Sequence, residues 1–166
     1  MQKSYNHLDG FLLQKMLGCK KDYNAFSEEA RYQAYRMFLK RTGEKGKRIA
    51  ATQTIQKWFG IGGQKRPNRE GLFKLGFALE LSDKEMRELL VYVTCEPDFQ
   101  VNDYREMIFL YGFYHHLSYT KCLAMVDKFE SSLPLEFSLK QQNRTNNIWK
   151  EYGKNCELAA DDFLQW

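Results

Sequence analysis

Residues 52–69, TQTIQKWFGIGGQKRPNR, join a short run with helical apolar spacing to a glycine-rich turn and a basic cluster. Ile55, Trp58 and Phe59 fall on one side of a helix, which leaves polar side chains for the opposite side. The glycines that follow interrupt the helix before the basic cluster begins. The stretch therefore predicts a short amphipathic helix with a basic turn, which either grips a phosphate backbone or is a solvated loop between two core helices.

The rest of the chain is also organised as a string of helices. The spacing of Ser82 and Glu85 is that of a capping box, in which each side chain bonds the other residue's backbone N–H. Helical runs are predicted over residues 27–41, 52–59, 69–79, 82–92, 104–117 and 118–129, with weaker helices over 146–152 and 159–166. We expect their N-caps to include Ser27, Thr52, Asn68, Ser82, Asn102 or Asp103, and Ser118. No alternating apolar pattern predicts a strand, so the predicted class is all-α, a compact multi-helix bundle.

The chain length of 166 residues fits one domain with an appendage. We expect an N-terminal helical extension over residues 1–26, a helix-turn-helix-like helical domain over 27–130, and a linker with C-terminal helices over 131–166. The last predicted helix ends on apolar residues without a closing glycine or basic turn. Such an ending is expected if the tail docks onto the core, or if the chain is the start of a longer protein.

Composition excludes several classes of protein. A hydrophobic content of 43% with 28% charged residues is typical of a globular chain. No apolar run approaches the roughly 20 residues that cross a bilayer, and no signal-peptide pattern opens the sequence, so we expect no membrane partner and a cytoplasmic location. The four cysteines are widely scattered, which argues against zinc and dithiol centres and favours reduced, mostly buried thiols.

Charge is segregated along the chain. Residues 40–74 contain ten Lys or Arg side chains and two acidic ones, a local balance of +8. Residues 75–126 contain four basic and eight acidic side chains. A concentrated basic block is the electrostatic signature of a polyanion-binding surface, although a solvated surface or a site for an acidic protein has the same composition.

The basic block coincides with the short helix that could enter a DNA groove. A helix-turn-helix places its second helix in the major groove while flanking cations bind phosphates. Glutamine suits the N6/N7 edge of adenine, and threonine can contact a thymine methyl. The predicted nucleic-acid-binding residues are Lys45, Lys47, Arg48, Thr52, Gln53, Thr54, Gln56, Lys57, Lys65, Arg66 and Arg69.

Residues 62–90, GGQKRPNREGLFKLGFALELSDKEMRELL, resemble the second half of Cro-like phage-repressor helix-turn-helix domains. They are more similar to a divergent group of such domains in Firmicute proteins, which carry a PSR-type turn, then LAFALGLS, then a later apolar helix. The matching segments here are residues 67–69, 75–82 and 103–108, within a resemblance that covers about residues 30–129.

That resemblance implies an all-α fold with a recognition helix at residues 52–59 and a phosphate grip at Lys65, Arg66 and Arg69. It implies double-stranded DNA as a partner and a non-enzymatic regulator or accessory factor of a bacterial or phage mobile-element or defence locus. Related domains in signalling and defence settings bind protein instead, so a helical adaptor for a protein or ribonucleoprotein stays open. Typical members have a turn of about three or four residues between the motif helices, whereas residues 43–51 predict a longer basic connection.

Other chemistry has no supporting motif. No nucleophile elbow, zinc-binding HExxH, P-loop or dinucleotide fingerprint occurs, so we expect no catalytic residue and no cofactor. His115 and His116 are adjacent, which on a helix points them about 100° apart and makes a shared metal site poor. The apolar helix predicted over 104–117 is expected to be core or, failing that, a homodimer or partner interface.

Overall fold

The computed structural model describes residues 8–18, 26–133 and 152–165. Within these ranges the regular structure is helical and no residue lies in a strand, which confirms the all-α class. The helices are α1 Leu8–Leu17, α2 Glu28–Lys47, α3 Thr52–Trp58, α4 Arg69–Ala78, α5 Asp83–Arg87, a π-helix Glu88–Val93 that continues α5, α6 Tyr104–Tyr114, α7 Tyr119–Ser132 and α8 Ala160–Gln165.

Two compact units make up the described chain, one ending at Asp98 and the other beginning at Phe99. In the first, α1 contacts α2, α3 and the π-helix, and Leu12 and Leu13 are fully buried. The helix within the predicted N-terminal extension is therefore part of this unit's core. The predicted domain boundaries at residues 26 and 130 differ from the division at residue 98.

Most predicted caps form. Ser27, Asn68, Ser118 and Asp103 each accept a backbone N–H from the first turn of the helix that follows, and the capping box of α5 is complete.

The predicted cap at Thr52 is wrong. Ala51 precedes α3 with extended backbone and no side-chain bond, and its carbonyl accepts from Thr54 N at 2.8 Å and Ile55 N at 3.1 Å. Thr52 is consequently the first helical residue of α3, and its side chain is exposed.

The second helix runs further than its glycines predict. Gly43 has φ 54° and ψ −135°, which kinks α2, but the helix resumes and ends at Lys47. Gly46 is buried so closely that a Cβ there would lie 1.8 Å from Thr42 Oγ1. The predicted long connection over 43–51 is therefore wrong, because only residues 48–51 separate α2 from α3.

Helix α4 is mostly buried: five apolar side chains, Leu72, Phe73, Leu75, Phe77 and the adjoining Leu79, lie in the core. The helix predicted over 82–92 begins as predicted but widens into the π-helix after Arg87. The Thr94 hydroxyl ends it by donating to the Leu89 and Leu90 carbonyls, each at 3.0 Å.

The second unit is built on α6 and α7. All α6 residues from Glu106 to Phe113 are buried, so the core interpretation of the apolar helix is confirmed and those side chains are not exposed for an interface. Tyr111 stacks on Phe163 of α8 with ring centroids 4.2 Å apart, and its hydroxyl donates to Leu158 O at 2.5 Å. The predicted helix over 159–166 is confirmed as α8. Residues 146–151 of the other weak helix and most of the predicted linker lie outside the described residues, and residues 152–155 are helical.

Candidate nucleic-acid interface

Helix α3 is anchored by the three apolar residues that the sequence assigns to its inner side. Ile55, Trp58 and Phe59 are all buried. The Phe59 ring packs against Tyr35 and Phe38 of α2, with centroids 5.8 and 5.4 Å away. These contacts fix which side of α3 faces outward.

A buried ion pair holds the C-terminal end of α3. Arg31 Nη1 donates to Asp9 Oδ2 at 2.6 Å and to Phe59 O at 3.1 Å, which links α1, α2 and the end of α3. Asp9 is only 2% exposed. Gly60 has φ +75°, and a Cβ there would lie 2.2 Å from Arg31 Nη1. The glycine is required at this position because of both its backbone conformation and the close guanidinium. The sequence did not predict this contact between Asp9, Arg31 and the Phe59 carbonyl, because Asp9 and Arg31 belong to no local motif.

The outward side of α3 presents the predicted polar residues. Thr52, Gln53 and Lys57 are exposed, and Thr54 and Gln56 are half-buried. Lys65 Nζ, in the turn that follows, donates to Thr54 Oγ1 at 3.5 Å. The structure thus places Lys65 beside the polar side of α3.

The end of α2 contributes three more of the predicted cations. Lys45, Lys47 and Arg48 are all exposed. Lys47 pairs with Glu44 at 2.8 Å, and this hydrogen bond lowers the pKa of Glu44 and raises the pKa of Lys47. The positive charge of Lys47 is consequently offset by its neighbour.

Arg66 and Arg69 have intramolecular partners that the sequence did not predict. Arg66 donates to Thr94 O and pairs with Glu96 at 2.8 Å, while its side chain stays 58% exposed. Arg69 donates to Pro97 O at 2.8 Å and to Asp98 O at 2.9 Å. Both arginines therefore hold the segment after the π-helix, and a phosphate would have to compete with these acceptors.

The remaining predicted cations are exposed and make no ion pair with any described residue. These cations are Lys45, Arg48, Lys57 and Lys65. This subset, which we name the open cations, is the part of the predicted phosphate grip best placed to meet a polyanion.

Metal sites and membrane spans are both absent from the described residues. No group of three or more His, Cys, Asp or Glu side chains there is arranged to hold a metal ion. Of the helices in the same ranges, none is both long and apolar enough to cross a membrane.

Comparisons with protein-family models, with curated proteins and with solved structures find no match to this chain. The resemblance to Cro-like helix-turn-helix domains accordingly stays a prediction from the residues that carry it.

Proposed function

We propose that the chain is a non-enzymatic protein that binds double-stranded DNA with α3 as its recognition helix. In this proposal the protein is a regulator or accessory factor of a mobile-element or phage-defence locus. One observation carries the proposal. Three buried side chains hold the inner side of helix α3 in the core, its polar side is exposed, and the open cations lie within it or close to it along the chain. The connection of residues 48–51 between α2 and α3 also has about the length usual in a helix-turn-helix.

Affinity comes mainly from the open cations in this proposal. Each phosphate contact releases counterions and contributes about 0.9 to the slope of log affinity against log salt. Four contacts give a slope of about −3.6, whereas all seven predicted cations would give about −6.3. Between 50 and 200 mM salt, four contacts weaken binding about 150-fold.

The test is fluorescence anisotropy with a labelled random duplex across a salt series. Changing both Lys57 and Lys65 to Gln should make the slope shallower by about 1.8 and weaken binding to all sequences alike. The matched control changes Lys40 and Lys84 to Gln, which removes the same charge from exposed positions outside the predicted set. No binding to any duplex at low salt, or equal effects of the two double variants, would refute the proposal.

Sequence preference is assigned to the glutamines of α3. The exposed Gln53 and half-buried Gln56 are the side chains suited to adenine edges. Changing Gln53 to Ala should alter the preference among duplex sequences by about 1–3 kcal/mol at one base pair while leaving the salt slope unchanged. Selection of bound sequences from a random pool measures this directly.

The alternative function is docking on a protein or ribonucleoprotein partner. The observation that favours it is Tyr92 on the π-helix, whose side chain is 73% exposed next to the exposed Val91. Exposed tyrosines are enriched at protein interfaces. Capture of a partner that survives nuclease treatment and is lost in Tyr92→Ser, with duplex binding absent, would select this function instead.

A further inference from the structure

A cleft of about 260 Å³ lies beside the C-terminal end of α3, inside the first compact unit. Its wall combines three parts of the chain: the start of α1, the end of α3 with the basic turn, and the segment that ends the π-helix. The lining includes Asp9, Lys57, Trp58, Lys65, Arg66 and Cys95.

The charge of the cleft favours an anion. Lys57 and Lys65 are exposed at its wall and make no ion pair with a described residue. The one carboxylate, Asp9, is compensated because Oδ2 accepts from Arg31 and Oδ1 accepts from Gly10 N. Arg66 adds a third cation, which is shared with Glu96. Two ammonium groups without a counter-ion match the double negative charge of a phosphate monoester.

The segment of the cleft wall that ends the π-helix carries unusual backbone. The π-helix ends at Val93, and Cys95 follows with φ 51°, a conformation that non-glycine residues rarely adopt. Short π-helices and residues with strained backbone are both concentrated at functional sites. Here the two occur together on residues that line the cleft.

We propose that this cleft binds the phosphate monoester of a small organic molecule of about mononucleotide size. Lys57 and Lys65 hold the phosphate, and the apolar side chains of Leu8, Trp58 and Val93, which also line the cleft, contact the organic part of the ligand. The size follows from the volume, because 260 Å³ lies just below the roughly 300–1,000 Å³ of pockets that enclose larger ligands. The same chemistry is offered by a free mononucleotide and by the phosphorylated 5′ end of a nucleic-acid strand.

This site goes beyond duplex binding and can be tested apart from it. Lys57 and Lys65 belong to both proposals, so their variants cannot separate the two. Cys95 lies only in the cleft set, and it provides the reporter. Cys95 is exposed whereas Cys122 and Cys156 are buried, so a neutral alkylating reagent should select Cys95 among these three.

The experiment measures the rate at which iodoacetamide modifies Cys95 in a Cys19→Ser background at constant ionic strength. The ligands are adenosine monophosphate, adenosine, inorganic phosphate, inorganic sulfate, and a trinucleotide with or without a 5′-phosphate. At ten times its Kd, a ligand that covers Cys95 should slow the reaction about tenfold. We expect saturable protection by adenosine monophosphate or by the 5′-phosphorylated trinucleotide, and none by their phosphate-free counterparts. Protection by the mononucleotide identifies a free small molecule, and protection by the trinucleotide alone identifies a strand end.

A pair of double variants completes the design. Changing Lys57 and Lys65 to Gln should raise the ligand concentration needed for protection at least about tenfold, while the Lys40 and Lys84 control leaves it unchanged.

The proposal is overturned if no phosphate monoester protects Cys95 in the folded protein up to about 10 mM, a weak-binding limit near −3 kcal/mol. Equal protection by adenosine and its monophosphate, or equal protection by sulfate and every phosphate compound, also overturns it. Failure of duplex binding would leave these results intact, since no arm of the experiment uses a duplex.

Discussion

Gly60→Ala is expected to destabilise the first unit by separating the buried pair of Asp9 and Arg31. The new Cβ would lie 2.2 Å from Arg31 Nη1 and 2.7 Å from Asp9 Oδ2, both closer than real carbon contacts. Arginine is flexible enough to move its guanidinium, but doing so gives up the bonds to Asp9 at 2.6 Å and to Phe59 O at 3.1 Å. The substitution therefore strains the backbone and also displaces the guanidinium that pairs with a buried carboxylate.

The magnitude follows from two contributions. A left-handed backbone costs a non-glycine residue about 1–2 kcal/mol. Removing one partner of a buried pair costs about 3–5 kcal/mol, and displacement of an arginine whose side chain is 14% exposed should cost less, about 2–3 kcal/mol. We expect Gly60→Ala to lower the free energy of unfolding by about 3–5 kcal/mol in total.

Gly62→Ala is the matched control. Gly62 also has positive φ, +66°, but its added Cβ would meet nothing within 4 Å. Gly62→Ala should therefore lower the free energy of unfolding by the backbone contribution alone, about 1–2 kcal/mol. Urea unfolding followed by far-ultraviolet circular dichroism gives both values under the same conditions.

A double-mutant cycle with Asp9→Ala tests the cause. If the methyl group acts on the ion pair, Gly60→Ala should cost about 2 kcal/mol less in the Asp9→Ala background than in the wild type. The reasoning fails if Gly60→Ala and Gly62→Ala are equally destabilising, or if the cycle shows no coupling.

Two further perturbations follow from the contacts of single residues. Glu96→Gln removes the anion that holds Arg66, so it should tighten duplex binding and steepen the salt slope by up to about 0.9. Glu80→Gln is the control, because it changes the net charge equally at an exposed position without an Arg66 contact. Equal titration curves for the two variants would contradict the role of the Arg66–Glu96 pair. Burial raises the pKa of Cys122 to about 12, so the folded protein keeps the thiol proton at a pH where the unfolded thiol ionises. The free energy of unfolding should therefore fall as pH rises from about 9 towards 12, by up to about 1.4 kcal/mol per pH unit. In Cys122→Val this part of the alkaline decline should vanish in urea titrations across that range, and an unchanged decline would show that other groups cause it.

Local signals in the sequence predicted most of the helices that position the candidate site. Asn68 and Ser82 bind backbone N–H groups three residues ahead, so their role depends on a short segment alone. The inner side of α3 was predicted for the same reason, because helical periodicity already places Ile55 and Trp58 together. Thr52 was misassigned because threonine is strongly preferred over alanine at an N-cap, whereas in the structure Ala51 holds that position without a side-chain bond.

Gly43 shows where a local signal was misread. A glycine near the end of an apolar run commonly stops a helix, and that prediction ended α2 too early. The positive φ is present, but Gly46 packs against Thr42 and Phe38, and this contact accompanies one more helical turn. The stop signal therefore acts at Gly43 itself, where the backbone is non-helical, and a short helical segment over residues 44–47 follows the kink.

The sequence by itself determined the helical class, the amphipathic character of α3 and the concentration of positive charge around it, since each depends on residues within a few positions of one another. Only the tertiary structure decided which cations are open, because the acceptors of Arg66 and Arg69 lie 28 to 30 residues further along the chain. It also decided that Gly60 is needed, since the constraint comes from Asp9 and Arg31 on two other helices. The sequence specifies which residues carry hydrogen-bond donors and charges. Whether each of these groups has a partner depends on which distant segments the fold brings within about 3 Å of it.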